Sequence, residues 1–196
     1  MSDTLWATDR ITSAEEIRAM IDQPHEAVVM KTVHQIDSHI ADFIAKSPLF
    51  FLGTSADSGR ADVSPRGDAP GFVKVLNERT LAFADRPGNR RLDSLLNIIE
   101  HPQVGMMFTI PGLNEVLRIN GRAGLSKNEA LLEQLGLSGK TTGIVVIVEV
   151  EECFIHCPRA FKQAGIWDSQ TWPQEHPSTM DMFKAHLKLN GYQAKE

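Results

Sequence analysis

Residues 49–84, LFFLGTSADSGRADVSPRGDAPGFVKVLNERTLAFA, decide the fold class, because along them apolar residues stop recurring at helical spacing and begin to alternate. Short β-rich runs follow one another at 49–55, 61–65, 72–76 and 80–84. Turn-forming residues separate some of them, Asp57-Ser58-Gly59 after the first and Asn77-Glu78-Arg79 after the third. This pattern predicts a meander of β-hairpins.

Helical spacing governs the chain before it. Ser13 followed by Glu16 forms a capping box, and Ile17, Met20 and Ile21 make an apolar stripe that stops before Pro24. A second stripe, Ile36, Ile40, Phe43 and Ile44, runs until Ser47-Pro48 breaks it. Beyond the meander, Leu92, Leu95, Leu96 and Ile99 share one helical face, and His101-Pro102 closes that element. Strands resume at 104–110 and 115–123 around Pro111-Gly112, and 143–151 is a nearly continuous apolar run suited to a central strand. Ser126 and Glu129 are expected to cap a short helix between the last two, and Ser178 with Asp181 opens another in the tail.

The reading is a mainly β protein with peripheral helices (α+β), built on a six- or seven-stranded antiparallel closed or split β-barrel rather than a doubly wound sheet. Its expected organisation is one domain overall. A helical segment at 1–47 packs on the barrel, the barrel occupies 48–167, and 168–196 is a tail with a short helix.

Bulk properties narrow the function. The 196 residues, 42% hydrophobic and 23% charged, suffice for one buried core. A net charge of -5 removes the general attraction that nonspecific nucleic-acid binding needs, so a bound anion must meet a local cluster. No apolar run approaches the roughly 20 residues of a membrane span. Asp3, Asp9, Glu15, Glu16 and Asp22 argue against a secretory leader, and a cytoplasmic protein with reduced Cys153 and Cys157 is expected.

Three segments carry chemistry. Asp85-Arg86-Pro87-Gly88-Asn89-Arg90-Arg91 lies between a strand and a helix, the outline of a phosphate cradle. In it Gly88 is expected to allow a tight turn and Asn89 to cap the helix, while the free helical N–H groups point toward two guanidinium groups. Charge-assisted bonds of about 1.5–3 kcal/mol outweigh a helix dipole of about 0.3–1 kcal/mol, so the arginines should dominate. An isolated Arg-Arg pair also fits a solvated turn. Next, 62–71 reads as a strand ending in a shaped loop rich in Gly and Pro, with Arg66 as a third cation and the Ser64 hydroxyl as a donor. In 114–123, Glu115 and Arg118 place charge in an apolar strand, which also fits ordinary outward alternation.

Other motifs fall away. Cys153, His156 and Cys157 lie within five residues and lack a second ligand pair at zinc spacing. Gly139-Lys140-Thr141 is no P-loop, because Gln134 stands where the earlier glycine is required. Trp167 and Trp172 fit packing at least as well as stacking on a ligand. Neither a Ser-His-Asp order nor paired carboxylates stand out, consistent with a cofactor that carries the reaction.

Together Ser64-Pro65-Arg66-Gly67-Asp68, 85–91, Ile110-Pro111-Gly112 with Leu117-Arg118-Ile119-Asn120-Gly121, and His156-Cys157-Pro158-Arg159-Ala160 resemble the FMN-binding split barrels typified by pyridoxamine 5'-phosphate oxidase. The resemblance covers roughly 35–167 and is tightest to a bacterial subgroup of FMN-dependent enzymes. It implies FMN as cofactor, with the 89–91 turn gripping the phosphate and 64–67 bordering the isoalloxazine. The implied cofactor-binding set is Val63, Ser64, Pro65, Arg66, Gly67, Asp68, Ala84, Asp85, Asn89, Arg90, Arg91, Arg118, His156 and Arg159. It further implies a homodimer with flavin at the subunit interface and a small-molecule substrate, with NAD(P)H an open choice of electron donor. The oxidase's C-terminal Arg and His signature is not recognisable after Trp167, so oxidation of pyridoxamine phosphate itself is not implied. A noncatalytic flavin- or haem-binding module, and a deazaflavin in place of FMN, stay open as alternatives.

Overall fold

A computed structural model describes residues 9–136 and 139–193. Asp3, and the outer ends of the expected segments 1–47 and 168–196, lie outside the described residues. Seven strands form one antiparallel sheet: β1 (Leu49–Ser55), β2 (Ala61–Gly67), β3 (Lys74–Asn77), β4 (Thr80–Ala84), β5 (Gln103–Thr109), β6 (Val116–Ser126) and β7 (Val145–His156). Their order is β2-β1-β5-β6-β7-β4-β3, the mainly β split barrel with peripheral helices that the alternation predicts. The helices are α1 (Ala14–Met20), α2 (Glu26–Met30), α3 (Ser38–Lys46), α4 (Asp93–Glu100), α5 (Glu129–Gln134), α6 (Arg159–Ala164) and α7 (Thr179–Leu189). Among the described residues no helix is long and apolar enough to cross a membrane.

The core follows from strand alternation. Phe50, Leu52 and Thr54 of β1 turn inward, and Phe50 is fully buried. Its ring lies 5.7 Å from Phe72, 5.0 Å from Phe83 and 4.9 Å from Phe108, so four aromatics from different segments meet at one point. Clusters of this kind bury large area and add offset and edge-to-face attraction. Ile40 and Ile44 of α3 and Leu95 and Ile98 of α4 close over the same core.

Several local expectations are corrected. β2 runs to Gly67, two residues past the expected end at Pro65, and the turn comes later. Pro65 is tolerated because β2 is an edge strand, where a missing N–H removes no ladder bond. β7 continues to His156, five residues past the expected end: Val148 and Val150 alternate with outward Glu149 and Glu151, and a register shift then brings Cys153 inward again. A bulge between Asn120 and Gly121 lets β6 follow it. Gly121 permits that bulge, since a Cβ there would overlap the Glu149 carbonyl.

α5 is capped by Asn128, whose side chain accepts from the Leu131 N–H, while Ser126 instead accepts from the Asn128 N–H. Ser178 caps α7 through the Asp181 N–H, as the sequence predicts. α2 and α6 have no counterpart in the sequence reading. α1, α2 and α7 contribute no buried residue.

Candidate functional site

The sheet curls so that the edge strand β2 and the end of β4 face each other across the split, and α4 packs against β1, β2 and β6. Between them opens a cavity of about 690 Å³, within the range typical of cofactor sites. One wall is Asp62, Ser64, Pro65, Arg66 and Gly67 of β2. The opposite wall is Ala84 and Asp85 followed by 86–92, and the first turn of α4 with Thr142 completes it. Phe72 and Phe83 form an apolar floor.

Period-two geometry decides which β2 side chains look inward. Asp62, Ser64 and Arg66 are partly buried, while Val63, Pro65 and Gly67 alternate outward. The 85–92 loop is fixed at its start by the buried Asp85. Its N–H donates to Ile144 O at 2.8 Å, and Thr142 Oγ1 donates to its carboxylate at 2.9 Å. The loop's turn is not made by Gly88, whose φ is not positive and where a Cβ would meet nothing within 4 Å. Arg90 (φ 64°) and Leu92 (φ 61°) take the left-handed conformation instead. Non-glycine residues there store strain, and such strain clusters at functional sites.

This changes the helix start. Asn89 does not cap α4, because its Oδ1 accepts from the Arg91 N–H at 3.0 Å, a local turn. Leu92 is the N-cap residue and offers no side-chain acceptor, which leaves the N–H groups of the first turn at the cavity rim without a cap.

The cavity gathers four arginines, Arg66, Arg86, Arg90 and Arg91, against three aspartates, Asp62, Asp85 and Asp93, so positive charge is in excess. Two arginines are already paired. Arg86 forms an ion pair with Asp68 through Nε at 2.7 Å and through Nη2, and Nη1 donates to Lys140 O at 3.1 Å. The Asp68 carboxyl is held below its usual range, first by the Ala69 N–H and then by Arg86. Arg91 Nε donates to Asp93 Oδ2 at 2.8 Å, an exposed pair that lowers the Asp93 pKa and raises that of Arg91. Arg66 Nη1 donates to two uncharged acceptors, Ser64 Oγ at 2.9 Å and Pro65 O at 3.0 Å. Among the described residues Arg90 has no hydrogen-bond or ionic partner, so Arg66 and Arg90 are the cations left for an anion.

Of the residues singled out in the sequence, Ser64, Pro65, Arg66, Gly67, Ala84, Asp85, Asn89, Arg90 and Arg91 line the cavity. Asp68 stands behind it as the partner of Arg86. Val63 points outward and is 69% exposed. Arg118 lies on the outer face of the sheet with its guanidinium 5.1 Å from the Phe154 ring, and neither it nor His156 nor Arg159 lines the cavity. The sequence reading missed Asp62, Arg86, Ser94 and Thr142 as members of the site. Arg86 and Asp62 carried a visible cue, their places in the basic turn and at the head of the 62–71 segment.

Comparison with known proteins agrees with this architecture. The family model described as pyridoxamine 5'-phosphate oxidase matches residues 36–157. A variant of HupZ from Group A Streptococcus superposes with a TM-score of 0.50 at 18% identity, covering 62% of this chain and 99% of that one. HupZ itself gives 0.49 at 20% identity, covering 61% and 93%. General Stress Protein 26 from Bacillus anthracis gives 0.43 at 12% identity, covering 60% and 93%. At these identities the likeness is one of fold. No curated protein matches the chain.

Proposed function

The chain belongs to the pyridoxamine 5'-phosphate oxidase family, and from that premise we propose that it is an FMN-dependent oxidoreductase acting on a small molecule. One observation carries the reading: a 690 Å³ cavity at the barrel split is lined by Arg66, Arg90 and the uncapped start of α4 together with the apolar Phe72 and Phe83. The cations and the free helical N–H groups suit a phosphate, and Phe72 and Phe83 suit a flat ring. Arg66 and Arg90 would bind the phosphate, with Arg91 turning to it from Asp93, while 64–67 and Ala84 border the isoalloxazine. When bound, the flavin supplies hydride or electron-pair transfer, and the protein's part is to orient the ring and exclude water.

The outer face of the sheet supports the homodimer. Register aligns Pro65, Phe51, Met107, Arg118 and Phe154 across five strands on the side away from the core. Beside that row the exposed Val63 pairs with Gly53 and Gly53 with Gly105, a stretch without large side chains bordered by Asn120, against which a second copy can pack. In such a dimer Arg118, His156 and Arg159 of one subunit would approach the cavity of the other.

The test is spectroscopic. Purified protein titrated with FMN should quench flavin fluorescence and shift its absorption, and protein that takes up no flavin would end the reading. Turnover is a separate question, answered by stopped-flow reduction with NADH and NADPH. Failure of both, with no oxidase activity, would leave a noncatalytic flavin carrier.

A further inference from the structure

One hydrogen-bonded chain in the cavity wall is unexplained by cofactor contact alone. Ser94, in the first turn of α4 and 3% exposed, donates from Oγ to Asp62 Oδ2 at 3.1 Å and lies 2.8 Å from Ser64 Oγ. Ser64 Oγ in turn accepts from Arg66 Nη1 at 2.9 Å. The two ends fix every proton between them. A guanidinium only donates and an ionised carboxylate only accepts. Ser94 has spent its single hydrogen on Asp62, so Ser64 must donate to Ser94 and can only accept from Arg66.

Two consequences follow. The Ser64 hydroxyl hydrogen is directed into the wall and is not offered to a ligand, unlike the donor role that the sequence suggests. Both Nη1 hydrogens of Arg66 are also taken, one by Ser64 and one by Pro65 O. The donors left free are those of Nε and Nη2, which lie along one edge and form the planar fork that grips a phosphate with two parallel bonds.

We propose that Ser94 and Asp62 are positioning residues that, through Ser64, hold Arg66 with its Nε–Nη2 edge toward the phosphate of the bound nucleotide. The proposal rests on the FMN reading above and adds to it the machinery that orients the cation. Asp62 anchors the proton order with its charge, Ser94 relays it from helix to strand, and Ser64 presents a lone pair to Arg66.

The experiment compares FMN with riboflavin, which has the same ring and no phosphate, by fluorescence titration of wild type, Ser94→Ala, Ser94→Thr, Asp62→Asn and Arg66→Ala. Ser94→Ala should weaken FMN about three- to tenfold and leave riboflavin unchanged. Ser94→Thr, which keeps the hydroxyl, should restore FMN affinity. Asp62→Asn should lose at least as much as Ser94→Ala, since its amide can reverse the proton order. In the Arg66→Ala background, Ser94→Ala should cost nothing further, as expected for residues acting through one another. Equal loss of both ligands, or losses that add to that of Arg66→Ala, would overturn the proposal and leave Ser94 a strut between α4 and β2. A wild-type protein that binds FMN no better than riboflavin gives a different result, overturning the phosphate reading itself.

Discussion

Replacing Arg90 by glycine is expected to move stability and cofactor affinity in opposite directions. Arg90 sits at φ 64°, where a side chain costs about 1–2 kcal/mol, and among the described residues it has no partner to repay that cost. Glycine removes the strain but loses about 0.5–1 kcal/mol through its freer unfolded state. The net gain lies between zero and about 1.5 kcal/mol. For a domain of this size about 1 kcal/mol shifts the melting temperature by about 2–4 °C, so Arg90→Gly should melt unchanged or up to about 6 °C higher.

The same change removes a guanidinium from the phosphate site, and FMN affinity should fall about ten- to a hundredfold. Arg90→Ala separates the two effects, because it loses the same affinity and keeps the strain. Thermal melts of the flavin-free protein and fluorescence titration with FMN measure both quantities. An Arg90→Gly protein that melts several degrees below wild type would refute the left-handed backbone at this residue, and unchanged FMN affinity would refute its place in the phosphate site.

Asp68 has its pKa lowered by the Ala69 N–H and by Arg86, so the stability it contributes is present above an ordinary carboxylate pKa of about 3.9 and lost as pH falls through the lowered value. Asp68→Asn should therefore destabilise the protein at pH 7 and narrow its difference from wild type below about pH 4, as read by urea midpoints across pH. Burial, with Asp37 and Glu152 adding to it, pushes the Cys153 thiol up to about 11, whereas Cys157 is exposed. Native protein treated with iodoacetamide at about pH 8 should gain one adduct by mass spectrometry, and rapid addition of two would contradict the burial of Cys153. Gly121→Ala should cost about 1–3 kcal/mol or more, because β6 or β7 must move to admit the methyl group, and an unchanged urea midpoint would remove that close approach. Met107→Lys on the outer sheet face should convert a dimer to monomers in light scattering and weaken FMN binding, while a dimer of wild-type affinity would place the interface elsewhere.

Much of the barrel was legible because burial writes a period of two into the strands. Phe50, Leu52 and Thr54 mark β1, and the bounds of β1 and β4 agree residue for residue with the spacing. Length was harder to read where outward residues are charged: Glu149, Glu151 and Glu152 lower local hydropathy along β7, and the bulge opposite Asn120 and Gly121 breaks the alternation between Val150 and Cys153. α2 escaped notice because Val28 and Val29 are weak helix formers and it buries nothing.

At the site, the basic turn and Arg66 stood out as charge in suggestive places. Its inner organisation did not. The Arg86–Asp68 pair spans 18 residues and the Ser94–Asp62 bond 32, and no periodicity joins such positions. Asn89 misled for a physical reason. Its side chain caps whatever N–H lies two residues on, and the left-handed turn at Leu92 postpones the helix beyond its reach.

The strand order has a consequence for how the binding site comes into being. Every described cavity-lining residue occurs at or before Thr142, most of them between Asp62 and Leu95, yet β2 is at one edge of the sheet and β4 next to the other, with β1, β5, β6 and β7 between them. During synthesis the ribosome therefore releases all of the wall before it releases Val145–His156, the strand on which β4 is hung. The cavity is a late product of folding, dependent on the pairing of β4 with β7, the longest-range strand pairing of the sheet, and such pairings form slowly. A ligand that binds only the closed barrel pulls this last step forward by mass action. A fragment ending before Val145 would carry every described lining side chain and still have no cavity.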